Sequence, residues 1–154
     1  MKRRQAFALL LSFLVGGCNL VGLDSESNID PSGLLINTDK ETYAGIDIIR
    51  VTLNNHTGAD LAYNLCLNNF QILKDNTWIP VDKNWGSYKC TLAASILAEG
   101  DSTSTSIEIP ESMDSGLYRV HFNSIFENTE ERRRLPDEYC VSNAFQVTQP
   151  TETS

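Results

Sequence analysis

Histidine and cysteine are scarce in this chain, with two and four copies in 154 residues. No G-x-S-x-G, H-E-x-x-H, C-x-x-C or P-loop pattern occurs. That removes the sequence grounds for a nucleophile elbow, a zinc-protease helix, a paired-cysteine metal site and a phosphate cradle. Positive charge is also short, 12 Lys and Arg against 20 Asp and Glu, for a net charge of −8. An acidic chain of this kind repels nucleic acid, and no nucleic-acid partner is expected. Long apolar runs are missing as well. The longest is Ala6–Val15, ten residues broken only by Ser12, against the roughly 20 needed to cross a bilayer as a helix.

That run follows Lys2, Arg3 and Arg4, and no acidic residue precedes Asp24. A basic start before a short apolar stretch is the pattern of a secretory signal peptide. It ends in Leu14-Val15-Gly16-Gly17-Cys18, which resembles the lipobox of bacterial lipoproteins. The resemblance implies cleavage before Cys18, a lipid on its sulfur and acylation of its new amino group. A thiolate is the good nucleophile for taking up such a lipid, and several acyl chains pass the two-signal threshold for stable anchoring. The expected location is a bacterial cell envelope, with the membrane as partner through Cys18. Asn19, rather than aspartate, points to the outer membrane in a diderm host. Cleavage would remove three basic residues, leaving nine against 20 acidic ones and a net charge of −11.

The expected layout is a leader over 1–17, a flexible tether over 18–32, one domain over 33–148 and a polar tail over 149–154. The tether, rich in Ser, Asp, Asn and Gly, has the composition of a mobile linker. Within the domain, apolar alternation and turn residues predict strands and few helices. Ile46–Asn55 is β-branched and shifts phase near Ile48, which predicts a bulge. Leu61–Leu67 and Phe70–Asp75 read as strands, and Asp75-Asn76 as a hairpin turn into Thr77–Asp82. Pro80 assigns that last strand to an edge. Ser102–Pro110 turns Ile107 and Ile109 inward, Gly116–Phe122 turns Tyr118, Val120 and Phe122 inward, and Ala144–Thr148 turns Phe145 and Val147 inward. The prediction is an all-β sandwich of seven to nine short antiparallel strands. Ile125–Tyr139 is long and charged and reads as an exposed loop, with room for one helical turn, between the last two strands.

Asp114-Ser115-Gly116-Leu117-Tyr118-Arg119-Val120 resembles the tyrosine corner of immunoglobulin-fold domains. The resemblance implies that the Tyr118 hydroxyl bonds back to the main chain. Val120 stands where antibody domains carry a disulfide cysteine. The wider pattern, from Thr38–Asn55 through Leu97–Ser102 to Val141–Val147, is similar to bacterial immunoglobulin-like domains, a family that implies a fold more than an activity.

With Cys18 assigned to a lipid, three cysteines allow one internal disulfide. Cys66–Cys90 is the expected pair, closing a loop that holds Trp78 and Trp85. Cys140 is then free, or replaces one member. No metal site and no cofactor are implied. His56 lies in a turn and His121 on the outward side of its strand, so no catalytic residues are assigned. Trp78 is expected in the core. The candidate binding residues are Trp85 and Tyr88, aromatic types favoured at interfaces, and the triplet Arg132, Arg133 and Arg134, cationic in an acidic protein. The expected function is that of a non-enzymatic binding or structural module with a protein or glycan partner. The alternative is an inhibitor or chaperone-like partner of an envelope enzyme, which an ordered, protruding 125–139 segment would favour.

Overall fold

A computed structural model describes residues 29–81 and 93–149. The leader and lipobox with Cys18, the segment holding Trp85, Tyr88 and Cys90, and the tail from 150 lie outside the described residues. Eleven strands form: β1 Leu34–Thr38, β2 Thr42–Ala44, β3 Ile48–Asn55, β4 Leu61–Tyr63, β5 Asn68–Lys74, β6 Thr77–Pro80, β7 Ser95–Leu97, β8 Ser102–Glu108, β9 Gly116–Phe122, β10 Ile125–Glu127 and β11 Phe145–Thr148. Seven of them are four residues or longer. No α-helix occurs among the described residues.

The strands make one sheet of order β1-β3-β8, one of order β2-β11-β9-β5-β6, and a small one of order β10-β4-β7. Every pairing is antiparallel except β2 with β11, which is parallel. The fold is therefore the expected all-β immunoglobulin-like sandwich, with one parallel edge that strand patterning does not reveal. Its core is a single cluster. Ile49, Val51, Leu53 and Ile107 come from the first sheet, Tyr43, Phe70, Tyr118, Val120, Phe122, Phe145 and Val147 from the second, and Leu61, Leu97 and Ile125 from the third. Phe145 lies at its centre, with its ring edge-on to Tyr43 and Phe70 and stacked with Tyr118. Period-two alternation on β3, β8, β9 and β11 supplies this layer, because successive side chains of a strand face opposite sides.

The tyrosine corner forms: the Tyr118 hydroxyl donates to the Asp114 carbonyl at 2.8 Å. Asp75 and Asn76 both take positive φ, 47° and 61°, the geometry of the two-residue turn that matches strand twist. β6 with Pro80 is an edge strand, as expected. Asn55 is a buried amide with its capacity used. It donates to the carbonyls of Ala59 and Leu97 and accepts from the amide and hydroxyl of Thr57. It thereby ties the end of β3 to β7.

Four local expectations change. No bulge lies near Ile48, since β3 pairs β8 without a break from Ile48–Glu108 to Asn54–Ser102. The phase shift instead reflects a turn at 44–47, where the Asp47 amide bonds the Ala44 carbonyl and its carboxylate accepts from the Ala44 amide. The strand expected over 61–67 stops at Tyr63, because the Asn64 side chain accepts from the Cys66 amide and turns the chain. Residues 29–32 are folded onto the body rather than belonging to a free tether. Asp30 caps a 3₁₀ turn, and its amide bonds the Thr57 carbonyl. Finally, Trp78 is not in the core. It pairs with Leu73 on the outer face, half-buried, beneath the guanidinium of Arg119 at 4.5 Å.

Candidate functional site

The 125–139 segment is a folded hairpin rather than a loose loop. β10 runs out and residues 133–135 run back. The Glu127 amide bonds the Arg133 carbonyl, and the Leu135 amide bonds the Ile125 carbonyl. Leu135 and Cys140 are buried and pin the returning arm to the core. Between them Asp137–Tyr139 forms a 3₁₀ turn, and residues 128–134 are exposed at the tip.

The three arginines of the triplet separate. Arg133 Nε lies 3.4 Å from Glu127 and 3.8 Å from Glu131. Arg134 binds the Asp137 carboxylate at 2.6 Å. Arg132 takes a positive φ of 47° and has no ion pair among the described residues. Consecutive positions therefore do not make one cationic patch, because the hairpin turns each side chain to a different neighbour.

Two hollows flank the hairpin base and share Tyr63 and Asn64 as a ridge. The larger, about 440 Å³, is walled by Thr103–Glu108 of β8 on one side and by Tyr63, Asn64, Cys66 and Asn68 on the other. The Tyr63 hydroxyl donates to Thr103 Oγ1 at 3.3 Å across it. The smaller, about 170 Å³, is lined by Ala62, Leu67, Ala94 and Phe126, with Arg132 at its rim. Cys66 apart, none of the residues in the larger hollow stood out by motif, since they come together from three places in the chain. One signal was present. Thr103 and Thr105 share the inward parity of Ile107 and Ile109, yet they are polar and half-buried. Polar residues on the core-facing side of a strand mark where the sandwich opens.

Cys66 is an exposed thiol and Cys140 a buried one. Its expected partner Cys90 lies outside the described residues. No disulfide occurs among the described residues. Burial pushes the Cys140 thiol up to about 12, which leaves it a packing residue rather than a nucleophile.

His56 is exposed in its turn. His121 faces outward from β9 as expected, but the 3₁₀ turn covers it and only 6% of it is exposed. Its Nε2 lies 3.5 Å from Asp137 Oδ1 and has no hydrogen-bond partner. That separation is too long for a good hydrogen bond. Asn69, directly opposite in register, also holds a buried, unpartnered Oδ1. His121 meets one carboxylate, not two, and lines neither hollow. Burial lowers its pKa most, helped by Arg134 and Arg119 and opposed by Asp137. The fold thus favours neutral imidazole, so the unfolded chain takes up the proton first as pH falls through about 6.5. Stability is full above that pH and declines below it until the folded-state value is passed. Urea midpoints compared at pH 7.5 and 5.0 should fall more for the wild type than for His121→Gln. Equal falls would remove His121 as the cause.

These features define a class: an all-β immunoglobulin-like sandwich with an ordered charged hairpin and two hollows at its base. No protein-family model matches the chain, and no curated protein matches it. Among solved structures it is similar to the ASH/PapD-like domain of human CEP192 (PapD-like domain 7), at 12% identity over 99% of each chain with a TM-score of 0.36. The fold rests on the strand order and the tyrosine corner.

Proposed function

We propose that the chain is a non-catalytic binding module, tethered to a bacterial envelope membrane by lipid on Cys18, that presents the hairpin base to a protein or glycan partner. The observation that carries this reading is the pair of hollows meeting at the Tyr63–Asn64 ridge beside an ordered, exposed hairpin. Small-molecule sites span roughly 300–1,000 Å³, so the larger hollow, about 440 Å³, has room for a ligand group, and its wall of Ser, Thr and Asn offers donors and acceptors. A non-catalytic role is supported by the chemistry of the groups present. The buried histidine lines neither hollow, and the buried thiol is held protonated. The hairpin also favours the second reading, an inhibitor or chaperone-like partner of an envelope enzyme, because a protruding segment fixed by main-chain bonds can enter a cleft at low entropic cost.

The anchoring half is tested by metabolic labelling with a fatty acid. Cys18→Ala should lose both the label and the membrane fraction, and equal labelling of the two chains would sink it. The binding half is tested in membranes by a photo-crosslinking residue placed at Thr105 in the larger hollow. A discrete adduct supports the module, and its absence there and at the hairpin base opposes it.

A further inference from the structure

We infer that the 170 Å³ hollow on the outer face of the β10-β4-β7 sheet is a docking site for an apolar side chain of a partner protein that carries an Asp or Glu beside it, the carboxylate being held by Arg132. The inference rests on the binding-module reading and specifies its partner. Register places Phe126, Ala62 and Ile96 in one row across the sheet, opposite in parity to the buried Leu61, Leu97 and Ile125. Ala62 is buried in the middle of the row and Phe126 is half-buried, while Leu67 lining the hollow and Ile96 at the end of the row are 42% and 52% exposed, so apolar side chains are left open to solvent around a buried floor. The hollow is well below the roughly 300–1,000 Å³ of small-molecule sites. It fits one side chain, the scale on which interface anchors fill pockets.

Arg132 decides the chemistry of that occupant. Its two neighbours are committed to acids of their own hairpin, whereas it has no carboxylate within ion-pair distance among the described residues. It lines the hollow with φ at 47°, a left-handed conformation that a residue with a Cβ rarely adopts. The turn bond from its own amide to the Thr129 carbonyl holds it there. A planar, always-charged guanidinium beside an apolar hollow selects a carboxylate by bidentate bonding, with a hydrocarbon group in the hollow next to it.

The test uses the full mature chain, isotopically labelled, and two capped peptides that differ only in Gly-Ser-Leu-Asp-Ser-Gly against Gly-Ser-Leu-Asn-Ser-Gly. The aspartate peptide should shift the amides of Ala62, Leu67, Phe126 and Arg132 and bind about fivefold more tightly. Arg132→Gln should erase that difference without changing the melting temperature, and Arg132→Lys should keep part of it. Equal binding of the peptides, shifts elsewhere, or no saturable shift would overturn the inference. A photo-crosslinking residue at Phe126 separates the two readings in membranes. Adducts from Thr105 but not from Phe126 keep the module and overturn this site, and adducts from neither overturn both.

Discussion

Phe145→Ala is expected to cost about 3–5 kcal/mol and to lower the melting temperature by about 10–20 °C. The ring is buried at the junction of β11, β9, β5 and β2, against Tyr43, Phe70 and Tyr118. Truncation removes the transfer free energy of a phenyl ring and leaves a cavity that aromatic neighbours held in edge-on and stacked contact cannot close. Tyr118→Phe is the internal standard. It deletes one hydrogen bond, to the Asp114 carbonyl, and should cost about 1 kcal/mol. Chemical denaturation of both variants decides the matter, with Phe145→Leu as a milder substitute if the alanine variant does not fold. If Phe145→Ala is no worse than Tyr118→Phe, the aromatic cluster is not the centre of the core.

Gly33→Ala should destabilise the protein by at least the roughly 1–3 kcal/mol of ordinary overpacking. A Cβ at Gly33 would stand 2.1 Å from the His56 carbonyl oxygen and 2.8 Å from the Thr57 amide nitrogen. Both obstacles are backbone and cannot rotate away. Relief would have to break the His56 amide bond to the Gly33 carbonyl or the Asp30 amide bond to the Thr57 carbonyl, which fasten the start of β1 to the end of β3. Gly100→Ala separates this steric effect from conformational strain. Gly100 has φ at 81° but nothing within 4 Å of the added carbon, so only the left-handed backbone, roughly 1–2 kcal/mol, opposes it. Thermal melts should rank Gly33→Ala below Gly100→Ala, and the reverse order would show that the approach of the two chains is not tight.

The parts of the fold that alternation controls were legible. Ile49, Val51 and Leu53, then Ile107 and Ile109, then Tyr118, Val120 and Phe122 are buried where their parity placed them. The Asp75-Asn76 turn and the edge position of Pro80 follow from backbone preferences of those residue types alone. Trp78 was misread because its size suggested a core residue. The β5–β6 register, opposing it to Leu73, puts it on the outer face under Arg119. The charged 125–139 segment was misread as a loop because its content of Glu and Arg masked the one apolar anchor, Leu135, that folds it back. Of the candidate site, the sequence marked the arginines and Cys66, and the polar inward positions Thr103 and Thr105 were the one trace of a hollow.

By itself, then, the sequence determined the all-β sandwich, its inward faces and its tyrosine corner, since these depend on local period, turn chemistry and short-range hydrogen bonds. Tertiary structure alone decided the parallel edge of β2 on β11, the separate destinations of Arg132, Arg133 and Arg134, the covering of His121, and the two hollows at Tyr63 and Asn64. The arginines are parted by the turn of their own hairpin, and the rest is set by which distant segments meet, a cooperative property of the packed chain that no local stretch of residues encodes.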